Sequence, residues 1–134
     1  MNADMGRFTL SIGVLGVLAG CSAGMRDGGP KRPAVVNHPV FVKLKNPADA
    51  ADLIADCDDR LASIPGVVSY YCGTPLDTGR ENVDLGFDVG IFVGFMSEAD
   101  YAAYVVHPNH VGLVAEWRPR IEWLRVHDVM DGTE

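Results

Sequence analysis

Residues 83–95 constrain the fold more than any other stretch. Read as an extended strand, they send Phe87, Val89, Ile91, Val93 and Phe95 to one side and Gly86, Asp88, Gly90, Phe92 and Gly94 to the other, because successive side chains of a strand point to opposite faces. The first side is uniformly apolar and has to be buried. The second carries three glycines, which weaken a strand and mark places where something bulky approaches closely. A partner sheet lying over that face would explain them. A chain built around this strand needs cover on both faces of its sheet.

The flanking segments supply one of those covers. Residues 38–45 alternate, with His38, Val40, Val42 and Leu44 on one face and Phe41, Lys43 and Lys45 on the other, the pattern of a half-buried strand. Asn46-Pro47-Ala48-Asp49 then opens a helix with a capping side chain, a proline in the first turn and an acid beside the positive helix end. Ala50, Leu53, Ile54, Cys57, Leu61 and Ile64 recur at helical spacing as its buried stripe. Asp49, Asp52, Asp56, Asp58 and Asp59 fall largely off that stripe and read as a solvated acidic face, since they lack the loop glycine and bidentate glutamate of a calcium site. Ile64-Pro65-Gly66 ends the helix, residues 67–72 form a second strand, and residues 73–82, with Pro75 and Gly79, a loop. Beyond the third strand come a helix from about Glu98, a second amphipathic helix carrying Val111, Val114 and Trp117 and interrupted near Pro119, and a last strand over residues 122–130. The order β-α-β-β-α(α)-β is the ferredoxin-like plan of an α+β protein. Its four-stranded antiparallel sheet has helices on one face only, so the other face is expected to be buried in a homodimer. Trp117 and Trp123 are expected in core or interface.

The chemistry concentrates where the two later helices meet, at Tyr101-Ala-Ala-Tyr104-Val-Val-His107-Pro-Asn-His110. Ser97 is placed to cap the first helix, with Asp100 three residues on. Tyr101 and Tyr104 then share a side. Pro108 disfavours helical backbone at His107 and suits the first turn of a new helix. His110 falls in that first turn, where the positive end of the helix dipole disfavours imidazolium. A neutral imidazole can act as a general base or a hydrogen-bond acceptor near pH 7, and Tyr104 could orient an acidic substrate oxygen across the break. The alternative is that both histidines brace the corner while Tyr104 packs as core. His107 and His110 alone make a poor metal site, for want of a third ligand.

Residues 8–18 are apolar apart from Thr9 and Ser11, follow Arg7 and lead into Leu18-Ala19-Gly20-Cys21. The run is too short for a spanning helix and fits a signal peptide. The tetrad resembles a bacterial lipobox, which implies cleavage after residue 20, lipid on Cys21, and an exported protein anchored to the cell envelope at its periplasmic face. Asp4 is unwelcome in a positive leader, which leaves Met5 as an alternative start. Residues 21–34 read as a flexible tether rich in Gly and Pro, residues 35–130 as one domain, and residues 131–134 as a tail. The formal net charge of −7, with no basic cluster, argues against nucleic acid. With Cys21 taken by lipid, Cys57 and Cys72 remain as either a disulfide of an oxidising compartment or two buried thiols.

Residues 36–130 resemble the stress-responsive α/β-barrel (Dabb) family. The resemblance rests on His38-x-Val-x-Val-Lys-Leu-Lys, Ile64-Pro-Gly-Val-x-Ser, Phe87-Asp88 with its alternating apolar residues, Tyr104-Val-Val-His107-Pro-Asn-His110, and Val126-His-Asp128. It implies ferredoxin-like protomers pairing sheets into a dimeric barrel, without a cofactor. A plant polyketide cyclase of this family uses a histidine base and a tyrosine; motif to motif these fall on His110 and Tyr104, and a pocket histidine of the first strand falls on His38. The implied pocket is lined by His38, Val40, Val42, Ile91, Val93, Tyr104, His110 and Leu113. Val89 stands where the cyclase has a histidine. Three functions follow as expectations: a lipid-anchored, stress-related dimer binding a small apolar or aromatic molecule; a cofactor-free lyase, cyclase or isomerase; and a structural envelope protein with a filled core.

Overall fold

A computed structural model describes residues 30–132. The export segment, Cys21 and most of the proposed tether lie outside the described residues, as do residues 133–134. Strand β1 (Val36–Leu44) alternates between buried and half-buried along its whole length. Its inward residues His38, Val40, Val42 and Leu44 are each no more than 8% exposed. Asn46 caps the turn that follows, its side chain accepting from the Ala48 N–H at 3.2 Å. A short 3₁₀ turn, Pro47–Asp49, leads into α1 (Ala50–Arg60). Leu53 and Cys57 of α1, together with Leu61 and Ile64 just beyond it, enter the core, with Ala50 and Ile54 packed at its margin. Gly66 turns the chain back at a φ of +92°, where a side chain would be strained and would meet Asp100.

Strands β2 (Val67–Gly73) and β3 (Val89–Phe95) follow, then α2 (Glu98–Val105), α3 (Pro108–Trp117), a 3₁₀ turn at Arg118–Arg120, β4 (Ile121–Val126) and β5 (Val129–Met130). The sheet order is β2-β3-β1-β4, antiparallel throughout, with β5 also paired to β1. The core lies between one face of this sheet and the helices: Val42, Val89, Phe95, Leu44, Cys57, Tyr104 and Trp117 are almost wholly buried. This is the ferredoxin-like α+β arrangement expected from the element order.

Several local expectations differ. The third strand begins at Val89, six residues later than the alternation implied. Just before it, Asp88 is still tied to β1: its N–H donates to the Val42 carbonyl, and its carboxylate, in place of a backbone carbonyl, accepts from the Leu44 N–H at 2.8 Å and the Lys43 ammonium at 3.1 Å. The expected last strand is broken in two at His127–Asp128, which makes a fifth, two-residue strand. Trp117 is buried as expected, but Val111 and Val114 are 51% and 38% exposed, and Leu113 takes their place in the buried stripe of α3.

The glycine face is approached by this chain itself. A Cβ on Gly94 would collide with the Ser69 hydroxyl and lie 2.6 Å from the Ala34 Cβ, and one on Gly90 would lie 3.3 Å from the Phe92 ring. The acidic face of α1 is less solvated than expected, because Asp49 pairs with Arg120, Asp56 accepts from the Trp117 indole and Asp58 accepts from the Tyr70 hydroxyl. The expected tether and tail are also partly docked: Arg32 pairs with Asp131, Ala34 is 4% exposed, and the Asp131 N–H donates to the Val35 carbonyl. No helix among the described residues is long and apolar enough to cross a membrane.

Candidate ligand site

Between the sheet and the helices lies a cavity of about 290 Å³, its wall almost entirely apolar. Of the eight residues expected around it, His38, Val40, Val42, Ile91, Tyr104, His110 and Leu113 line it. Val93 does not. It has the right parity on β3, but it lies between His38 and Tyr70 of the neighbouring strands and is closed off at 2% exposure. Leu53 and Cys57 of α1, Leu61 just beyond it, Tyr101 and Val105 of α2, Val114 and Trp117 of α3, and Ile121, Leu124 and Val126 of β4 complete the wall.

The helix break sets the first polar group. His107 has extended backbone (φ −64°, ψ 138°) and caps α3, its Nδ1 accepting from the Asn109 N–H. His107 is therefore a brace. His110, one turn on, has Nδ1 2.9 Å from the Val105 carbonyl. A carbonyl only accepts, so this nitrogen carries the proton and Nε2 is left with a lone pair. Burial holds the imidazole below its usual pKa, outweighing the Val105 hydrogen bond that raises it, and nearby His38 adds to the lowering. The Tyr104 ring, 2% exposed, packs against His110 at 4.7 Å between centroids. Burial pushes its phenol well above the ordinary range. Its hydroxyl has no hydrogen-bond partner among the described residues, and no buried polar side-chain atom of these residues is left unpaired, so the hydroxyl opens to the cavity.

The second polar group was not legible as a unit. His38 Nδ1 lies 2.6 Å from an Asp128 carboxylate oxygen, and the Tyr101 hydroxyl donates to the other oxygen at 2.8 Å. The same hydroxyl is 3.2 Å from His38 Nδ1. The break between β4 and β5 puts Asp128 there: both strands pair with β1, and the His127 N–H donates to the Pro39 carbonyl at the break. The carboxylate holds the proton on Nδ1, so Nε2 is again the acceptor. Burial, then the hydrogen bond and charge of Asp128, push Tyr101 up to about 12. Tyr101 therefore helps to fix the His38–Asp128 pair, a role the sequence did not suggest for it. The rings of Tyr101, His38, Tyr104 and His110 form a continuous series along one wall, with successive centroids 5.1, 6.0 and 4.7 Å apart. Among the described residues, no group of three or more His, Cys, Asp or Glu side chains is placed to hold a metal ion.

An apolar chamber between one face of an antiparallel sheet and the helices, with two imidazoles held as acceptors on its wall, belongs to an α+β protein of the ferredoxin-like class. The chain belongs to the stress responsive A/B barrel domain (Dabb) family, whose model matches residues 36–131. Similar solved structures include a hydroxynitrile lyase from Passiflora edulis, 24% identical, covering 77% of this chain and 99% of that one at a TM-score of 0.63. A Dabb family protein with a ferredoxin-like fold from Mesorhizobium loti is 22% identical, covering 73% and 97% at 0.61. A dimeric ferredoxin-like protein of unknown function from Thermobifida fusca is 19% identical, covering 72% and 90% at 0.61. At these identities the likeness concerns the fold. No curated protein matches the chain in sequence.

Proposed function

We propose that this chain is an exported, lipid-anchored Dabb protein whose cavity takes a small apolar or aromatic molecule bearing a hydroxyl group. The observation that carries this reading is the pairing of an apolar wall with two imidazole Nε2 acceptors and one free phenol. An apolar cavity of about 150 Å³ can hold benzene, so one of about 290 Å³ has room for a ring with a short chain. Acceptor nitrogens favour a ligand O–H over a ligand carbonyl, which Tyr104 could hold instead. A filled structural core, the third expectation, leaves no such space.

Two copies would pair through the open sheet face. Phe41 packs edge-on against Phe87 and Phe92, and Tyr71, 61% exposed, stacks on Phe92 at 4.4 Å. An exposed aromatic surface of this kind favours a protein partner. The similarity to a dimeric ferredoxin-like protein supports the same arrangement. Export and anchoring rest on the sequence of residues 7–21, and labelling with radioactive palmitate, lost on Cys21→Ser, is the check.

A second reading is cofactor-free lyase, cyclase or isomerase chemistry, in which His110 Nε2 takes a proton and Tyr104 holds the substrate oxygen. The carboxylate-backed His38 favours it, as a second base or acid on the same wall. The likeness to a hydroxynitrile lyase makes lyase reactions the ones to assay.

The test is a thermal-shift screen against hydroxylated aromatics, polyketide-like compounds and lipid-derived alcohols, with His110→Ala in parallel. Ligands stabilise the folded state by mass action, so a hit that disappears in the variant supports a working site. If no compound shifts the wild type while His110→Ala melts far lower, the corner is a brace and the binding reading fails.

A further inference from the structure

We propose that the rim of the cavity mouth is a membrane-seating surface, through which the domain rests on the bilayer and draws its ligand from the lipid, an orientation that rests on Cys21 being lipid-anchored. Four residues that line the cavity are also well exposed, Val105 and Val114 on the helices and Leu124 and Val126 on β4, so they ring its mouth. Leu124, Val126 and Met130 stand opposite Val42, Val40 and Val36 in the ladders with β1. Residues directly opposite share a face of the sheet, here the face turned towards the helices. That edge of the face stays open all the same: the three side chains are 45%, 43% and 55% exposed. Val106, next to Val105 at the end of α2, is 72% exposed.

Two observations favour lipid as the occupant. The first is charge. Residues 101–115, which form the helical side of the mouth, contain no Asp, Glu, Lys or Arg, in a chain that is 22% charged. Ionised side chains are costly in hydrocarbon, whereas the rim of a protein interface is polar. Asp128, which follows Val126 at the strand break, has its two oxygens engaged by His38 and Tyr101. The second is where the chain enters the domain. Ala34 is docked at 4% exposure, the Val35 carbonyl accepts from the Asp131 N–H, and Val36 pairs with Met130, so the entry point adjoins the apolar rim. Cys21 precedes Ala34 by 13 residues (34 − 21), a leash of roughly 45 Å at full extension. A lipid-held Cys21 therefore keeps the rim within reach of the membrane surface. The aromatic surface of Phe41, Phe92 and Tyr71 lies on the opposite face of the sheet, so pairing of two copies there leaves this rim uncovered. Seated on lipid, the mouth opens to the layer into which an apolar molecule with one hydroxyl partitions, with the two imidazole acceptors at the inner end.

The experiment uses the full chain purified from membranes with its lipid and reconstituted in vesicles of phosphatidylethanolamine and phosphatidylglycerol, attachment being checked by flotation. A nitrobenzoxadiazole label on Val106→Cys should shift to the blue and be quenched by brominated lipid. The same label on Asp59→Cys, at an exposed position of α1, should do neither; wild type treated alike corrects for labelling of half-buried Cys72. Val106→Asp combined with Met130→Asp, neither of which lines the cavity, should slow uptake of a long-chain 4-alkylphenol supplied in the vesicles and leave binding of a short one supplied in water unchanged. A floating chain whose Val106→Cys label is unquenched, or quenched no more than the one on Asp59→Cys, overturns the seating and leaves the anchor standing. Cross-linking of the chain to a second copy through Val106→Cys, without quenching by lipid, overturns it in favour of a protein occupant. A chain that does not float overturns the anchor and the seating together.

Discussion

Replacing Asp128 by alanine separates a wired site from a merely apolar hole. The carboxylate accepts from His38 Nδ1 at 2.6 Å and from the Tyr101 hydroxyl at 2.8 Å. Hydrogen bonds to a charged group contribute about 1.5–3 kcal/mol each when well shielded, but the Asp128 side chain is 44% exposed. The two together should therefore stabilise the fold by only about 2 kcal/mol, or about 10 °C in Tm for a domain of this size. Asp128→Asn, which keeps a neutral acceptor, should lose about half as much.

The more telling effect is on the tautomer. With the carboxylate gone, the group left beside His38 Nδ1 is the Tyr101 hydroxyl at 3.2 Å, a donor. The imidazole then accepts at Nδ1 and carries its proton on Nε2, and the cavity loses one of its two acceptors. Nitrogen-15 NMR of the histidine rings reports this directly. The wild type should show His38 protonated at Nδ1, Asp128→Ala at Nε2, and Asp128→Ala combined with Tyr101→Phe a mixture. If His38 keeps its wild-type tautomer in Asp128→Ala, or if Tm moves by less than about 1 °C, the Asp128–His38–Tyr101 network does not hold the ring.

Other outcomes follow from single contacts. Because His110 has its pKa lowered in the folded state by burial, the unfolded chain binds more protons as the pH falls through the ordinary histidine range. Stability should be full above about pH 6.5 and decline on acidification from there, and His110→Gln should flatten part of that slope in pH-dependent melts. Gly94→Ala places a methyl against Ser69 and Ala34 and should cost about 2–3 kcal/mol by urea denaturation, with partial recovery when Ser69→Ala is added. Asp56→Ala strands the buried Trp117 indole N–H, now bonded at 2.8 Å, and should cost about 2 kcal/mol, seen in the same assay with tryptophan fluorescence. The chain without its export segment should scatter light as a dimer at micromolar concentration; a monomer would contradict sheet-face pairing.

Local signals made the fold legible. The alternation of His38, Val40, Val42 and Leu44 matches their burial in β1, and the His107-Pro108 step ends α2 and starts α3 because proline acts on the residue before it. What failed was long-range. The Asp88 carboxylate takes the Leu44 N–H of β1, more than forty residues away in sequence, and β3 begins only after it, at Val89, with no trace of this in its own alternation. The tie from His38 to Asp128 spans 90 residues and that from Tyr101 to His38 spans 63. The residues were in view, Tyr101 beside Tyr104 and Asp128 after Val126-His, but periodicity says only which face a residue takes. It does not tell a cavity from a packed core, and so Val93 looked the same as Ile91. Cys57 and Cys72 were an even pair in the sequence; the structure has both as free thiols, one buried and the other half-buried.

The central claim is that the cavity binds a small hydroxylated apolar molecule through the two imidazole acceptors. The direct test is a titration with 4-alkylphenols followed by nitrogen-15 NMR of the four histidines. The account predicts that the Nε2 signals of His38 and His110 shift with the phenol, while those of His107, which caps α3, and of exposed His127 stay put. Saturable binding that leaves His38 and His110 unmoved, or no binding across the series, would contradict it.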